Sequence, residues 1–444
     1  MTQGVIWKHL VFFSIPMMIG LCFQQLYNTV DIIVVGQFVG KEALAAVGST
    51  SSIINTLVGF SAGLSMGSSV IISQCYGAHD YKKLRLAVHT TLALTFILSV
   101  IATVLGMVLV DPLLRMMDTP ADVYDEAKTY LNIYLSGLVG LLLYNMGSGI
   151  LRAVGDSRRP LYFLCFSAVL NTLFDLLFVI GFGMGVEGVA YATILAQAVS
   201  AVLVLVVLTR DRASYGIHWR EVRLDVSTLK RILSIGLPSG LQQALTGFSN
   251  VFVQSYINYF GAACMAGWST YSKLDSFLFV PAQSIAMAST TFVGQNFGAK
   301  QMSRAREGVK QAQIMSVAVT AVLSILMILF ARNFTHLFTT DPAVVEYAVR
   351  FITLISPFYI TTCFNQTYAG ALRGIGNAKT PMFVLLFSFV AFRQMYLFTV
   401  RLLGNSLFWI SLAYPAGWIM ASLLLTVFYR RSSLYRTAEQ APAI

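Results

Sequence analysis

Two aspartates stand in surroundings that give them no obvious reason to be charged. Asp31 lies in the run QQLYNTVDIIVVG and Asp175 in LNTLFDLLFVIGF, both dominated by apolar residues. A carboxyl with little access to water resists ionising, and a second carboxyl beside it adds to that resistance. Such a pair suits the reversible uptake of a proton or a small cation. Polar neighbours fall at helical spacing: Asn171 is one turn before Asp175, while Asn28 and Gln24 lie three and seven residues before Asp31. No Lys or Arg lies within two turns of either acid on its own stretch. The plainer alternative is that each is a structural carboxylate paired with a cation from elsewhere in the chain. The second half carries Lys273 and Asp275 in STYSKLDSFLF, and a lone Arg393. Residues two apart on a helix face different ways, so Lys273 and Asp275 are not an obvious pair. Arg393 is long enough to reach outward toward the membrane interface.

The elements that position these groups follow from composition. Of 444 residues, 57% are hydrophobic and only 11% charged, against about 25% charged in an ordinary soluble domain. Mean hydropathy is +0.71. So few charges cannot cover a water-facing surface of this size, which excludes soluble enzymes, disordered chains and coiled coils. An all-α polytopic membrane protein remains. At about 20 residues per crossing, apolar runs give twelve spans: 10–36, 46–72, 86–110, 125–150, 160–181, 187–209, 230–256, 266–293, 309–332, 344–370, 380–402 and 406–429. With the N-terminus inside, alternating segments hold 22 Lys and Arg inside and 6 outside, which supports both the expected cytoplasmic termini and an even number of spans. The net charge of +11 therefore calls for no nucleic-acid partner. The five cysteines are scattered without metal-ligand spacing. The first apolar run is too long for a signal peptide and reads as a retained helix.

The chain also repeats itself. QCYGAHDYKKLR resembles QNFGAKQMSRAR, and LRAVGDSRRP resembles LRGIGNAKTP, both at an offset of 221 residues. Pro16 meets Pro238 after one extra residue. An even number of spans per half implies two six-helix lobes related by a pseudo-twofold axis along the membrane normal, with a cavity between them. The expected lobes are 1–208 and 232–444, joined by a polar cytoplasmic linker, 209–231. At the same offset Asp31, Asp175, Asn171 and Gln24 fall on Phe252, Tyr396, Phe392 and Leu245. The scaffold is duplicated but the acidic cluster is not, so its role belongs to one lobe.

The whole chain, over about residues 5–430, resembles the multidrug and toxic compound extrusion (MATE) transporters. The signals are Pro16 followed by Asp31, the LRAVGD and LRGIGN pair, LNTLFD…GMGVEGVAYAT, and GQNFGA. The resemblance is to the prokaryotic, DinF-like branch with an acidic site in the N-terminal lobe. It implies an exporter that exchanges drugs for protons or sodium. It also implies roles for Gln24, Tyr27 and Asp31 in span one, Asn171 and Asp175 in span five, Thr193 in span six, and Pro16 as a point of helix bending. A second branch binds sodium through acids in spans seven and ten. Span seven here has no Asp or Glu and span ten has only Glu346 at its start.

The expected function is cation-coupled export of amphipathic, mostly cationic compounds across the inner membrane by a monomer without cofactors. Asp31 accepts the ion first, Asp175 shares it, and Asn171, Gln24 and Thr193 orient the pair. No metal site is expected other than sodium at Asp31 and Asp175. Protonation bends the first helix at Pro16, where a backbone hydrogen bond is already missing. A flippase or exporter of lipid-linked or anionic substrates is the alternative, kept open by Lys273 and Arg393. A membrane enzyme finds no support: there is no HExxH and no His/Cys/Glu cluster.

Overall fold

The computed structural model describes residues 1–440 apart from Asp118, Arg212 and Asn405. Arg212 of the expected linker, the last four residues of the expected tail and the side chain of Lys41 therefore lie outside the described residues. No β-strand occurs among the described residues. The helices are α1 (Ile6–Val34), α2 (Lys41–Gly77), α3 (Tyr81–Met116), α4 (Ala121–Ser136), α5 (Leu138–Ala153), α6 (Arg158–Asp175), α7 (Val186–Arg210), α8 (Val226–Asn258) and α9 (Ala262–Gly298). They continue with α10 (Met302–Leu329), α11 (Ala331–His336), α12 (Pro342–Ile355), α13 (Tyr359–Gly374), α14 (Lys379–Leu386), α15 (Arg393–Leu402), α16 (Leu407–Ser411), α17 (Ala413–Arg431) and α18 (Ser433–Gln440).

Among the described residues ten helical segments are long and apolar enough to cross a membrane, and α4 with α5, bent by 47° at Gly137, makes an eleventh if that pair counts as one span. The remaining long helix is α8, with 33 residues, at the position of the seventh expected span. Its Ser239, Gln242, Gln243, Asn250 and Gln254 make it too polar to qualify on composition alone. The all-helical, multi-span architecture expected from composition is the one observed.

The duplication is written into the backbone. Shifting by 221 residues carries both ends of α2 onto both ends of α9, and both ends of α5 onto those of α13. The starts of α3, α4, α6 and α7 fall on the starts of α10, α12, α14 and α16. Left-handed residues coincide too: His79 (φ 54°) with Lys300 (φ 59°), Gly155 (100°) with Gly376 (94°), and Gly183 (65°) with Gly404 (125°). Gly155 and Gly376 close the LRxxG motifs, where a left-handed residue stops the helix and glycine bears that conformation without a Cβ clash.

The chain divides into two compact units, but not at the linker. One is Ile19–Gly240; the other joins Met1–Met18 to the chain from Leu241 onward. Both divisions fall two residues after a proline, Pro16 in α1 and Pro238 in α8. Each proline leaves a helix turn without its usual hydrogen bond, and there the helix passes from one unit to the other. In the first unit, the early part of α8 lies backbone to backbone on α2: a Cβ on Gly67 would collide with Gly236, and one on Gly63 with Gly240. Small residues permit that approach. In the second unit Leu10, Phe13 and Met17 pack with Ile285, Ala288, Phe292 and Ala312. The division differs from lobes bounded at 208 and 232 because side-chain packing, not linker polarity, decides membership.

Candidate functional site

The first unit gathers its polar side chains from the later part of α1 and from α4, α6 and α7. Asp31 on α1 and Asp175, the last residue of α6, stand within hydrogen-bonding reach of one another. Asp175 is fully buried and Asp31 half-buried. Among the described residues no ion pair involves either acid; the ion pairs are Lys83–Asp80, Arg85–Glu221, Lys128–Asp111 and those of Arg159 with Asp156 and Asp211. The reading of two separately paired structural carboxylates thus has no cation to rest on.

Asp31 Oδ1 and both Asp175 oxygens are buried without a hydrogen-bond partner. Buried polar atoms are nearly always satisfied, so such a cluster calls for a specific cause. Two ionised carboxylates are both acceptors and cannot bond each other. One proton between them supplies the missing donor, and a small cation would neutralise the same oxygens.

The local backbone contributes. Both acids precede a π-helical stretch, Asp31 shortly before Val35–Val39 and Asp175 immediately before Leu176–Gly181. Such wide turns occur frequently at functional sites. In the second unit Arg393 follows a third, Phe387–Phe392.

The other expected residues divide. The Gln24 amide reaches the Tyr27 hydroxyl, one turn along α1, and Tyr27 lies within electrostatic reach of Asp31. Asn171 is 2% exposed, yet neither its amide nitrogen nor its oxygen has a partner. It shares a face of α6 with Asp175 without bonding to it, so the orienting contact expected from their spacing is not formed. Thr193 is buried and donates to Val189 O at 3.0 Å, which commits its proton to its own helix. Pro16 lies inside α1 on the side that packs in the second unit.

Two groups escaped the sequence reading. Tyr130 and Tyr134 on α4 are buried and stacked, with ring centroids 6.5 Å apart. Tyr130 lies within electrostatic reach of Asp31, Asp175 and Tyr27, and Tyr134 meets the Gln197 amide of α7. Their signal was faint: two tyrosines four residues apart on the most polar of the early spans.

In the second unit Lys273 is exposed, with its ammonium 5.7 Å from the centre of the Phe338 ring, whereas Asp275 accepts a hydrogen bond from Tyr271 at 3.1 Å. The two face apart, as their spacing requires. Arg393 does not reach outward: it is 2% exposed and bonded inward.

The MatE family model matches residues 16–177 and again 238–396, once in each copy of the repeat. The chain belongs to the MatE family. It is similar to the probable multidrug resistance protein YoeA of Bacillus subtilis, at 28% identity over 97% of this chain and 94% of the relative. YpnP of the same organism, also named a probable multidrug resistance protein, is 30% identical over 88% of each chain. Among solved structures, an outward-facing conformation of a multidrug resistance MATE family transporter of the MOP superfamily superimposes with a TM-score of 0.92. It is 26% identical, and the match covers 99% of this chain and 98% of that one. This MatE protein is therefore a multi-pass membrane transporter. Asp31 and Asp175 both fall in the first of the two matched regions.

Proposed function

We propose that the protein is a secondary active multidrug exporter, taking up a proton or sodium ion at Asp31 and Asp175 in exchange for amphipathic, mostly cationic compounds. The names of YoeA and YpnP support multidrug export. The observation that carries the coupling is the cluster of buried carboxyl oxygens with neither donor nor counter-cation. In an empty site these oxygens favour whichever state brings them a cation. In an occupied site they are satisfied, and the preference is lost. An ion that binds one state better than the other shifts the balance between them; one that binds both equally does nothing. Tyr27 and Tyr130 frame the pair with hydroxyls that can donate to a lone carboxylate. α1 carries Asp31 beyond Pro16, so a change at the acid is delivered to the one turn of α1 that lacks its full set of hydrogen bonds.

Both termini lie in the cytoplasm in this reading, and the working unit is a monomer in the inner membrane that catalyses no covalent chemistry. The alternative, export of lipid-linked or anionic molecules, keeps the support of Arg393 alone, because Lys273 faces Phe338.

The test is reconstitution of the full chain in liposomes, with proton and sodium gradients imposed separately while a fluorescent organic cation is followed. Counterflow is expected with one of the two gradients and its loss in both Asp31→Asn and Asp175→Asn. Transport indifferent to both gradients, or unchanged in both variants, refutes the coupling.

A further inference from the structure

The second unit holds the opposite electrostatic problem: a buried guanidinium with no anion. Arg393 opens α15 and is 2% exposed. Its Nη2 donates to Ser249 Oγ at 2.8 Å and to Asn250 Oδ1 at 2.9 Å, both on α8. The Tyr414 ring of α17 lies under the guanidinium, 4.8 Å away. Every one of these partners is neutral, and Arg393 Nε is buried with no partner at all. Among the described residues Arg393 forms no ion pair.

The acid that might have answered it is held by other groups. Asp275 accepts from the Tyr271 hydroxyl at 3.1 Å, and Tyr271 is itself bonded to the Tyr359 hydroxyl at 3.1 Å. Tyr414 lies within electrostatic reach of both Arg393 and Asp275 without joining them.

The frame around Arg393 is rigid. Ser249 Oγ donates to Phe389 O at 2.8 Å, within the π-helical stretch, and the Gln394 amide donates to the same hydroxyl at 3.2 Å. The guanidinium is thus fixed in place with a donor unused. At the repeat offset it replaces Thr172, whose hydroxyl merely bonds back to Ala168 O at 3.1 Å. Asp175 in turn is replaced by Tyr396. Equivalent helices of the two copies carry an acid in one and a base in the other.

A buried charge without a counter-charge is costly, and removing water from a guanidinium is repaid only by an anion or a full set of acceptors. A planar guanidinium with an open N–H edge matches the oxygens of a carboxylate or phosphate better than any other side chain. Trp268, with its ring centre 5.5 Å from that of Tyr414, and Trp418, 6.1 Å from it, are buried in the apolar core of the unit and hold the Tyr414 ring in place beneath the guanidinium. We propose that Arg393, set by Ser249, Asn250 and Tyr414, is a binding site in the second unit for the carboxylate or phosphate group of an amphipathic molecule. The proposal rests on the transport reading only in taking that molecule to be cargo. It widens the substrate class to anionic and zwitterionic compounds.

The test is equilibrium binding to the purified full chain in a neutral detergent, comparing pyrenebutyrate with its neutral analogue pyrenebutanol. Wild type is expected to prefer the carboxylate by roughly ten- to hundredfold, the range of one or two charge-assisted hydrogen bonds. Arg393→Gln brings that ratio to about one, and Arg393→Lys retains part of it because the charge remains without the planar fork. Asn250 is exposed, so Asn250→Ala keeps the fold and reads the same site should Arg393→Gln fail to fold; its ratio falls several-fold. The double variant Asp31→Asn/Asp175→Asn keeps the wild-type ratio, so failure of ion coupling and failure of this site register separately. Equal affinity of wild type for the two probes, or an undiminished ratio in folded Arg393→Gln and in Asn250→Ala, overturns the proposal. A second arm uses vesicles of phosphatidylcholine with and without phosphatidylglycerol. Preference surviving the anionic lipid supports cargo, whereas competitive loss assigns the site to a lipid headgroup and overturns the cargo assignment.

Discussion

Replacing Asp175 by asparagine should separate stability from coupling. Three carboxyl oxygens, Asp31 Oδ1 and both of Asp175, are buried without a donor. Each unsatisfied buried acceptor costs about 1–3 kcal/mol. An asparagine at 175 keeps the shape, removes one acidic oxygen and offers an N–H pair to Asp31 Oδ1. Two of the three deficits then disappear and one N–H is left without an acceptor, a net stabilisation of about 1–3 kcal/mol and a rise of a few degrees in unfolding temperature. Coupling should move the other way. Exchange of one proton for one monovalent drug cation lets a gradient of one pH unit, about 1.4 kcal/mol, sustain about a tenfold drug gradient. With asparagine the site no longer holds a shared proton, and the drug ratio across the liposome should fall to about one. Both quantities can be read from one preparation: intrinsic tryptophan fluorescence on heating, and fluorescent-cation distribution after an imposed pH jump. A variant that still builds the wild-type drug gradient refutes the shared-ion argument. A variant that loses coupling and stability together points instead to a merely structural carboxylate.

Four further outcomes follow from other parts of the molecule. Gly67→Leu should destabilise the first unit by at least about 1–3 kcal/mol, because the side chain would enter the Gly236 backbone of α8. Gly247→Ala, at a helical site with open space around it, should leave stability unchanged or raise it by up to about 1 kcal/mol; thermal unfolding of the two variants checks both. Pro16→Ala restores the hydrogen bond missing from α1 and should slow exchange at least several-fold while ligand affinity in detergent stays within about twofold. In the loop after α7, burial pushes the Asp211 carboxyl up, but bonds from the Tyr215 hydroxyl, Arg159 and the Ala213 N–H outweigh it and hold Asp211 below its ordinary range. A carboxyl lowered on folding stabilises the fold above its unfolded value, near pH 4, and loses that contribution as pH falls further. Asp211→Asn should therefore cost under about 1 kcal/mol at neutral pH and nothing in strong acid, as measured by unfolding of this loop in hydrogen exchange.

Much of this architecture is legible from composition and period. Apolar runs locate the spans because lipid forces the backbone to satisfy itself within each helix. The 221-residue offset locates the repeat, because ends such as Gly155 and Gly376 need the same left-handed stop in each copy. Asp31 and Asp175 stand out by the cost of charge in such surroundings. Less legible are features that depend on neighbours remote in sequence. Tyr130 and Tyr134 look like ordinary aromatics until α4 is set against α1 and α7. Asn171 has the right spacing to support Asp175 but leaves both its polar atoms unpartnered. Arg393 is free on sequence grounds to reach the interface, yet Ser249 and Asn250 capture it.

The chain by itself determined where the apolar segments run, which of them repeat and where costly charge is placed, because these depend on the transfer of each segment out of water. Tertiary structure alone decided which helix halves belong together and which charges acquire partners. The early part of α8 joins the first unit because Gly63 and Gly67 let backbones touch, and the first eighteen residues join the second because Leu10, Phe13 and Met17 find their packing there. Contact energies fall off within a few ångströms, so such choices are made by surfaces that meet only after the chain has folded.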